Sequence, residues 1–189
     1  RYLTRRDAAL DDSQREMLRK VARATWGYFE RFVVAEQYYL APDNFQETPR
    51  PLAAPRTSPT NIGLQLLADM AAFDLGYLGA RDLLERIERV FGALRRLERF
   101  QGHFYNWYDT STLHPLPPRY VSTVDSGNLA GHLLTLRQGL LALHTFEPDE
   151  QRMIDGLHDC ARLIADRLPE DAPGAPALQG IFAALATKP

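Results

Sequence analysis

The stretch SPTNIGLQLLADMAAFDLG, residues 58–76, is followed after Tyr77-Leu78-Gly79 by ARDLLERIERVFGALRRLER, residues 80–99. The contrast between the two decides the fold. In the first, Ser58 offers a capping hydroxyl, and Pro59 fits a first helical position where its missing N–H costs nothing. Ile62, Leu64, Leu66, Leu67, Met70 and Phe73 follow at close spacing, with Asp69 and Asp74 the only charges, and Gly76 supplies a stop. This pattern predicts a helix buried on most sides. In the second, Leu83, Leu84, Ile87, Val90, Phe91, Leu94 and Leu97 form one stripe against a dense Arg/Glu face. That is an amphipathic outer helix.

The contrast repeats further on. Ser126 to His144 reads as a leucine-rich helix whose only formal charge is Arg137. Asp149 to Leu168 is amphipathic again, through Met153, Ile154, Leu157, Cys160 and Ile164. Upstream, Ser13 and Glu16 have capping-box spacing, and Met17, Leu18, Val21, Tyr28, Phe29, Phe32 and Val33 recur on one helical face. A short helix from about Ala177 to Ala186 follows the Pro/Gly-rich break Pro169–Pro176. Strand signals are weak. A buried helix with an amphipathic partner, twice over, predicts an all-α fold of helical hairpins forming about half of an α/α six-hairpin toroid. An irregular bundle is the alternative. Self-similarity at the roughly 33–47-residue periods of simple helical solenoids is missing.

The 189 residues suit a single helical segment of a larger domain, with 1–11 a linker. Lys plus Arg number 22 and Asp plus Glu 24, a net charge of −2, which argues against nucleic-acid binding. A hydrophobic fraction of 45% is enough for a core. The single cysteine, Cys160, can form neither an internal disulfide nor a thiolate zinc site, and it reads as a small buried hydrophobe. No run approaches the roughly 20 apolar residues of a membrane-spanning helix. The opening Arg1-Tyr2-Leu3-Thr4-Arg5-Arg6 has no initiator methionine and leads into Asp7 and Asp11-Asp12, which reads as a piece of a longer chain.

Four stretches fit neither core, cap nor solvated face: 42–47, 57–61, 102–109 and 120–128. Two lead into the leucine-rich helices, so an α/α ring would gather them at one end. The third packs Phe104, Tyr105, Trp107 and Tyr108 among His103, Asn106 and Asp109. Flat aromatic faces beside amides and a carboxylate suit a sugar ring with its rim of hydroxyls. The same loop could simply close the end of the barrel. Glycosidic-bond chemistry needs paired carboxylates, and Asp43, Glu47, Asp109 and Asp125 are the candidates. Asp43, Asp109 and Asp125 each have a second reading: Asp43 caps a turn, Asp109 closes one with Thr110 and Ser111, and Asp125 serves a helix N-terminus. His103, His114, His132, His144 and His158 show no metal-ligand spacing, and His132 reads as a hydrogen-bonded core histidine. No GxSxG, Walker or GxGxxG motif occurs, so neither metal nor cofactor is expected.

The runs PDNFQETPRP (42–51), RTSPTNIGL (56–64), LERFQGHFYNWYDT (97–110) and PRYVSTVDSGNLAGHLL (118–134) strongly resemble the middle region of cyclic β-1,2-glucan synthases. The resemblance extends from about Leu18 to Leu143. Members of that family are large, inner-membrane-associated bacterial proteins. They join a UDP-glucose-dependent glycosyltransferase, a glucoamylase-like middle region and a phosphorylase-like end. It implies that this chain is part of the glucoamylase-like α/α region, on the cytoplasmic side, which cleaves linear β-1,2-glucan and rejoins it into a ring by transglycosylation. On that reading Asn44, Glu47, Asn61, His103, Asn106 and Asn128 would hydrogen-bond sugar hydroxyls. Tyr105, Trp107 and Tyr108 would form a stacking platform, and Asp125 and Asp109 would be the acids. The partners implied are the glucan chain and the remaining domains of the synthase. A half ring would also leave a flank of the helices Pro59–Leu75 and Gly127–Leu143 bare, which predicts a homodimer or an exposed apolar patch. A non-catalytic carbohydrate-binding module and a structural helical adaptor are the alternatives.

Overall fold

The computed structural model describes residues 9–145, 149–169 and 171–186. The basic opening, nearly all of the 1–11 stretch, and Glu170 in the Pro169–Pro176 break lie outside the described residues. Described residues form six α-helices: α1 (Asp12–Phe32), α2 (Pro59–Asp74), α3 (Ala80–Arg96), α4 (Thr123–Leu143), α5 (Glu150–Ala165) and α6 (Ala175–Ala186). The loops carry six two-residue strands that the sequence did not announce. They pair antiparallel as β1 (Phe45–Gln46) with β2 (Leu52–Ala53), β3 (Arg56–Thr57) with β6 (Tyr108–Asp109), and β4 (Arg99–Phe100) with β5 (His103–Phe104). No described helix is long and apolar enough to cross a membrane. The chain divides into two compact units, Trp26–Gly156 and the paired ends up to Thr25 and from Leu157.

In the Trp26–Gly156 unit, α2 begins as its sequence dictates: Ser58 Oγ accepts the Asn61 N–H at 3.2 Å, with Pro59 in the first turn. Helix α4 starts a turn earlier than expected, because Ser122 and not a later residue caps it. Helices α2 and α4 run parallel. Thr60 meets Asn128, a Cβ on Gly63 would lie 2.2 Å from His132 Nδ1, and one on Gly139 would lie 2.3 Å from the end of Met70. The contacts therefore advance together along both helices. Tyr77-Leu78-Gly79 returns the chain antiparallel into α3, whose Leu83, Ile87, Val90 and Leu94 join Leu66 and Phe73 of α2 in the core. His132 is half-buried against Gly63, and its Nδ1 lacks a hydrogen-bond partner, unlike the hydrogen-bonded histidine expected. Helix α4 buries Leu129 and Leu136 but leaves Val124, Leu134 and Leu141 exposed.

In the unit formed by the ends, two expectations are corrected. The capping box of α1 is Asp11 with Gln14, not Ser13 with Glu16: each backbone N–H donates to the other residue's side-chain oxygen, at 3.1 and 2.8 Å. Met17, Leu18 and Val21 are exposed rather than buried. The polar side of α1 is what meets α5, through Arg19 to Asp159 at 2.8 Å, Lys20 to Asp166, and Arg23 Nε donating to Cys160 Sγ at 3.0 Å.

Asp69 is the unusual member of α2. It is fully buried, neither carboxylate oxygen has a hydrogen-bond partner, and Arg86 stands 3.6 Å away. Burial outweighs the pull of Arg86 and pushes the carboxyl up to about 7. A folded-state value above the unfolded one means stability fully present below about pH 3.8 and lost as pH rises through about 7. Asp69→Asn should therefore melt close to the parent near pH 4 and be more stable by about 4 kcal/mol near pH 8. Thermal denaturation across that range is the measurement, and parallel curves would show that Asp69 does not titrate there.

Candidate functional site

The N-terminal ends of the parallel helices α2 and α4 carry one connected set of polar side chains. At the α4 end, Ser122 Oγ accepts the Asp125 N–H at 3.1 Å and donates to Asp125 Oδ2 at 2.6 Å. This reciprocal cap places Asp125 inside the first turn. Its carboxylate also accepts from the Thr60 and Ser58 hydroxyls and the Thr60 N–H, so it ties α4 to the start of α2. Burial by itself would raise its pKa. The hydrogen bonds from Ser122, Thr60 and Ser58 outweigh burial and hold the carboxyl below its ordinary range.

Asn106 is buried beside it. With the amide oriented so that both ends are satisfied, its nitrogen donates to Asp125 Oδ2 at 2.8 Å. Its oxygen accepts from Trp107 Nε1 at 2.6 Å and Tyr120 OH at 2.7 Å. The Asn106 N–H donates to the Tyr120 carbonyl at 2.9 Å, which fixes the loop before α4. The Trp107 indole is half-buried, and the Arg56 guanidinium lies 4.6 Å from its ring centroid. Arg56 pairs with Asp43 at 3.0 Å, and Asp43 accepts from Asn44 at 3.0 Å and from Asn61 at 3.1 Å. Asn128 donates to Thr60 Oγ1 at 3.1 Å. A continuous path thus runs Asn44, Asp43, Arg56, Trp107, Asn106, Asp125, Thr60, Asn128.

That path, with Asn61 branching from Asp43, gathers Asn44, Asn61, Asn106, Trp107, Asp125 and Asn128 of the expected residues. Others stand apart. Tyr108 is fully buried, its hydroxyl donating to the Glu98 carbonyl at 2.6 Å and accepting the Tyr105 N–H at 2.7 Å. Burial pushes that phenol up to about 12. Tyr108 is core, with no face left for stacking, which corrects its place in the platform. Tyr105 sets its ring edge-on against Tyr108 at 6.4 Å. Asp109 Oδ1 accepts from the hydroxyls and N–H groups of Ser111 and Thr112 at 2.6–3.1 Å. The Ser111 hydroxyl is the main cause holding its carboxyl low. This is the turn-closing arrangement. His103 is exposed on the β4–β5 hairpin, and Glu47 is exposed beyond β1. Sequence reasoning missed Arg56, Tyr120 and Ser122. The Ser122-to-Asp125 spacing carried a legible capping signal, whereas the reach of Arg56 to Trp107 depends on the β3–β6 pairing and had none.

A helical hairpin with a parallel third helix, and polar groups at the two parallel N-terminal ends, is an all-α arrangement of packed helices. The chain shares that fold with part of a β-1,2-glucanase from Parabacteroides distasonis, at TM-score 0.55 and 18% identity over 82% of this chain and 22% of that one. A glucoamylase-like structure from Bacteroides fragilis NCTC 9343 superposes at TM-score 0.48, with 23% identity over 96% of this chain and 37% of that one. In sequence, the chain is 47% identical over 157 residues, 82% of its length, to the cyclic β-(1,2)-glucan synthase NdvB of Rhizobium meliloti (strain 1021). It spans 6% of the length of that relative. No family model matches the chain. The likeness to cyclic β-1,2-glucan synthases read from the four motifs stands.

Proposed function

We propose that the chain is part of a cyclic β-1,2-glucan synthase and contributes one wall of the site that holds linear β-1,2-glucan for cyclisation by transglycosylation. The observation that carries this reading is the connected path from Asn44 to Asn128, which immobilises a half-exposed indole among amides and carboxylates at one end of α2 and α4. The 47% identity to a synthase of that name supports it. In this reading the chain forms about half of an α/α ring within a membrane-associated protein, on its cytoplasmic side. Val124, Leu134 and Leu141 of α4 then meet the remaining domains, or a second copy when the segment stands alone. Asn44, Asn61 and Asn128 address sugar hydroxyls from the path, and Glu47 and His103 from the rim. Asn106, buried with both amide ends already bonded, holds Trp107 and Asp125 in place instead of touching sugar. Trp107 supplies the stacking surface, and Tyr105 a second ring on the same loop.

One observation favours a second reading, a non-catalytic carbohydrate-binding module. Asp125 serves as a hub between two helices and Asp109 as a turn closer, so each acid already has structural work.

Trp107→Ala tests the shared core of both readings. In calorimetric titration with β-1,2-linked gluco-oligosaccharides, the variant should bind more weakly by about 1–3 kcal/mol while keeping cooperative unfolding. Undiminished affinity in the folded variant would remove the platform.

A further inference from the structure

Against Asp43, the Trp26–Gly156 unit holds a cavity of ≈ 320 Å³ that the sequence did not reveal. Its walls are the rings of Tyr28, Phe29 and Phe45, and half-exposed Leu64 stands among its lining residues. Its polar groups are Asp43, Asn44 and Asn61. The walls are fixed. Tyr28 OH donates to the Pro42 carbonyl at 2.7 Å, the Phe45 ring packs tilted against Phe32 with centroids 4.7 Å apart, and Arg31 lies 4.9 Å over Phe45. Asn44 and Asn61 each commit an amide proton to Asp43, which leaves their oxygens as acceptors for hydroxyl donors. Arg56 neutralises Asp43, so the cavity does not call for a charged ligand.

We infer that this cavity is a second carbohydrate subsite, holding a neutral hexosyl unit of the same glucan whose neighbouring units lie at Trp107. The inference rests on the proposed function. Rigid aromatic walls facing amide oxygens match the two surfaces of a pyranose, its C–H faces and its hydroxyl rim. The volume sits at the low end of ligand pockets, in the range of a single ring rather than a longer segment. Asp43 joins the two places: one oxygen takes Arg56, which lies over Trp107, and the other takes Asn61, which lines the cavity. The chain thus reads a run of sugar units rather than one.

The test is binding as a function of length, using β-1,2-linked gluco-oligosaccharides of increasing size with the parent chain and Leu64→Trp. Leu64→Trp plugs the cavity from a half-exposed position outside the Trp107 site. The parent should gain about tenfold in affinity between the disaccharide and longer chains. Leu64→Trp should lose that gain while binding the disaccharide as the parent does. Length-independent binding by the parent, or a length gain that Leu64→Trp keeps, overturns the subsite and leaves the proposed function standing. No binding at any length removes both.

Discussion

Gly76→Ala should destabilise the chain by more than about 3 kcal/mol, the sum of a backbone term and an overlap term. Gly76 follows α2 with φ +83°, a left-handed conformation that costs a side chain strain. It also touches a second segment: a Cβ there would lie 1.9 Å from the Arg152 carbonyl oxygen. That neighbour is backbone and cannot swing aside. The approach is mutual, since a Cβ on Gly156 would lie 2.3 Å from the Gly76 oxygen. The Tyr77 and Leu78 N–H groups both reach back to the Ala72 carbonyl, at 2.8 and 3.2 Å, so the turn has little room to relax. Urea denaturation is the measurement, with Gly92→Ala as the control. Gly92 lies within α3 and its Cβ would meet nothing within 4 Å. That control should be neutral or stabilising by about 0.5–1 kcal/mol. Equal midpoints for Gly76→Ala and the parent would mean that the two backbones separate freely.

This turn shows how unevenly the sequence discloses its structure. Gly76 was legible as a stop because helix termination is a local matter, and Ser58-Pro59 was legible as a start for the same reason. The close contact between Gly76 and the segment before Gly156 was not, since it depends on where α5 returns. The apolar stripe of α1 misled because periodicity identifies an apolar face and not what covers it; Arg19, Lys20 and Arg23 drew the other face toward α5. At the candidate site, residue types pointed to sugar chemistry as the reading of 102–109, but gave no sign of which ring turns inward. Tyr108 pairs with Thr57 in the β3–β6 ladder and is buried, whereas Trp107, the residue before β6, is left half-exposed. A two-residue ladder has no sequence period long enough to read.

Asp125→Asn separates the two demands placed on one carboxylate. As a hub, Asp125 is an acceptor facing donors from Ser122, Asn106, Thr60 and Ser58. Asparagine turns one acceptor into a donor aimed at other donors, which should cost about 1.5–3 kcal/mol, the worth of hydrogen bonds to a charged group. The pH dependence follows from the lowered carboxyl. A folded-state value below the unfolded 3.8 gives stability that is present above pH 3.8 and lost as pH falls through the lower value. The gap between parent and variant should therefore be widest near neutrality and close on acidification. Catalysis makes a different demand. A carboxyl held ionised by donors is suited to act as base, nucleophile or charge stabiliser, not to protonate a leaving oxygen. On the proposed function, Asp125→Asn in the complete synthase, assayed well below its melting temperature, should cut the ratio of cyclic to linear product by at least about 100-fold, the lower end of acid–base contributions. An unchanged ratio from a folded variant assigns Asp125 to holding α2 and α4 in register. The acids of the reaction would then belong to the parts of the protein that face this wall.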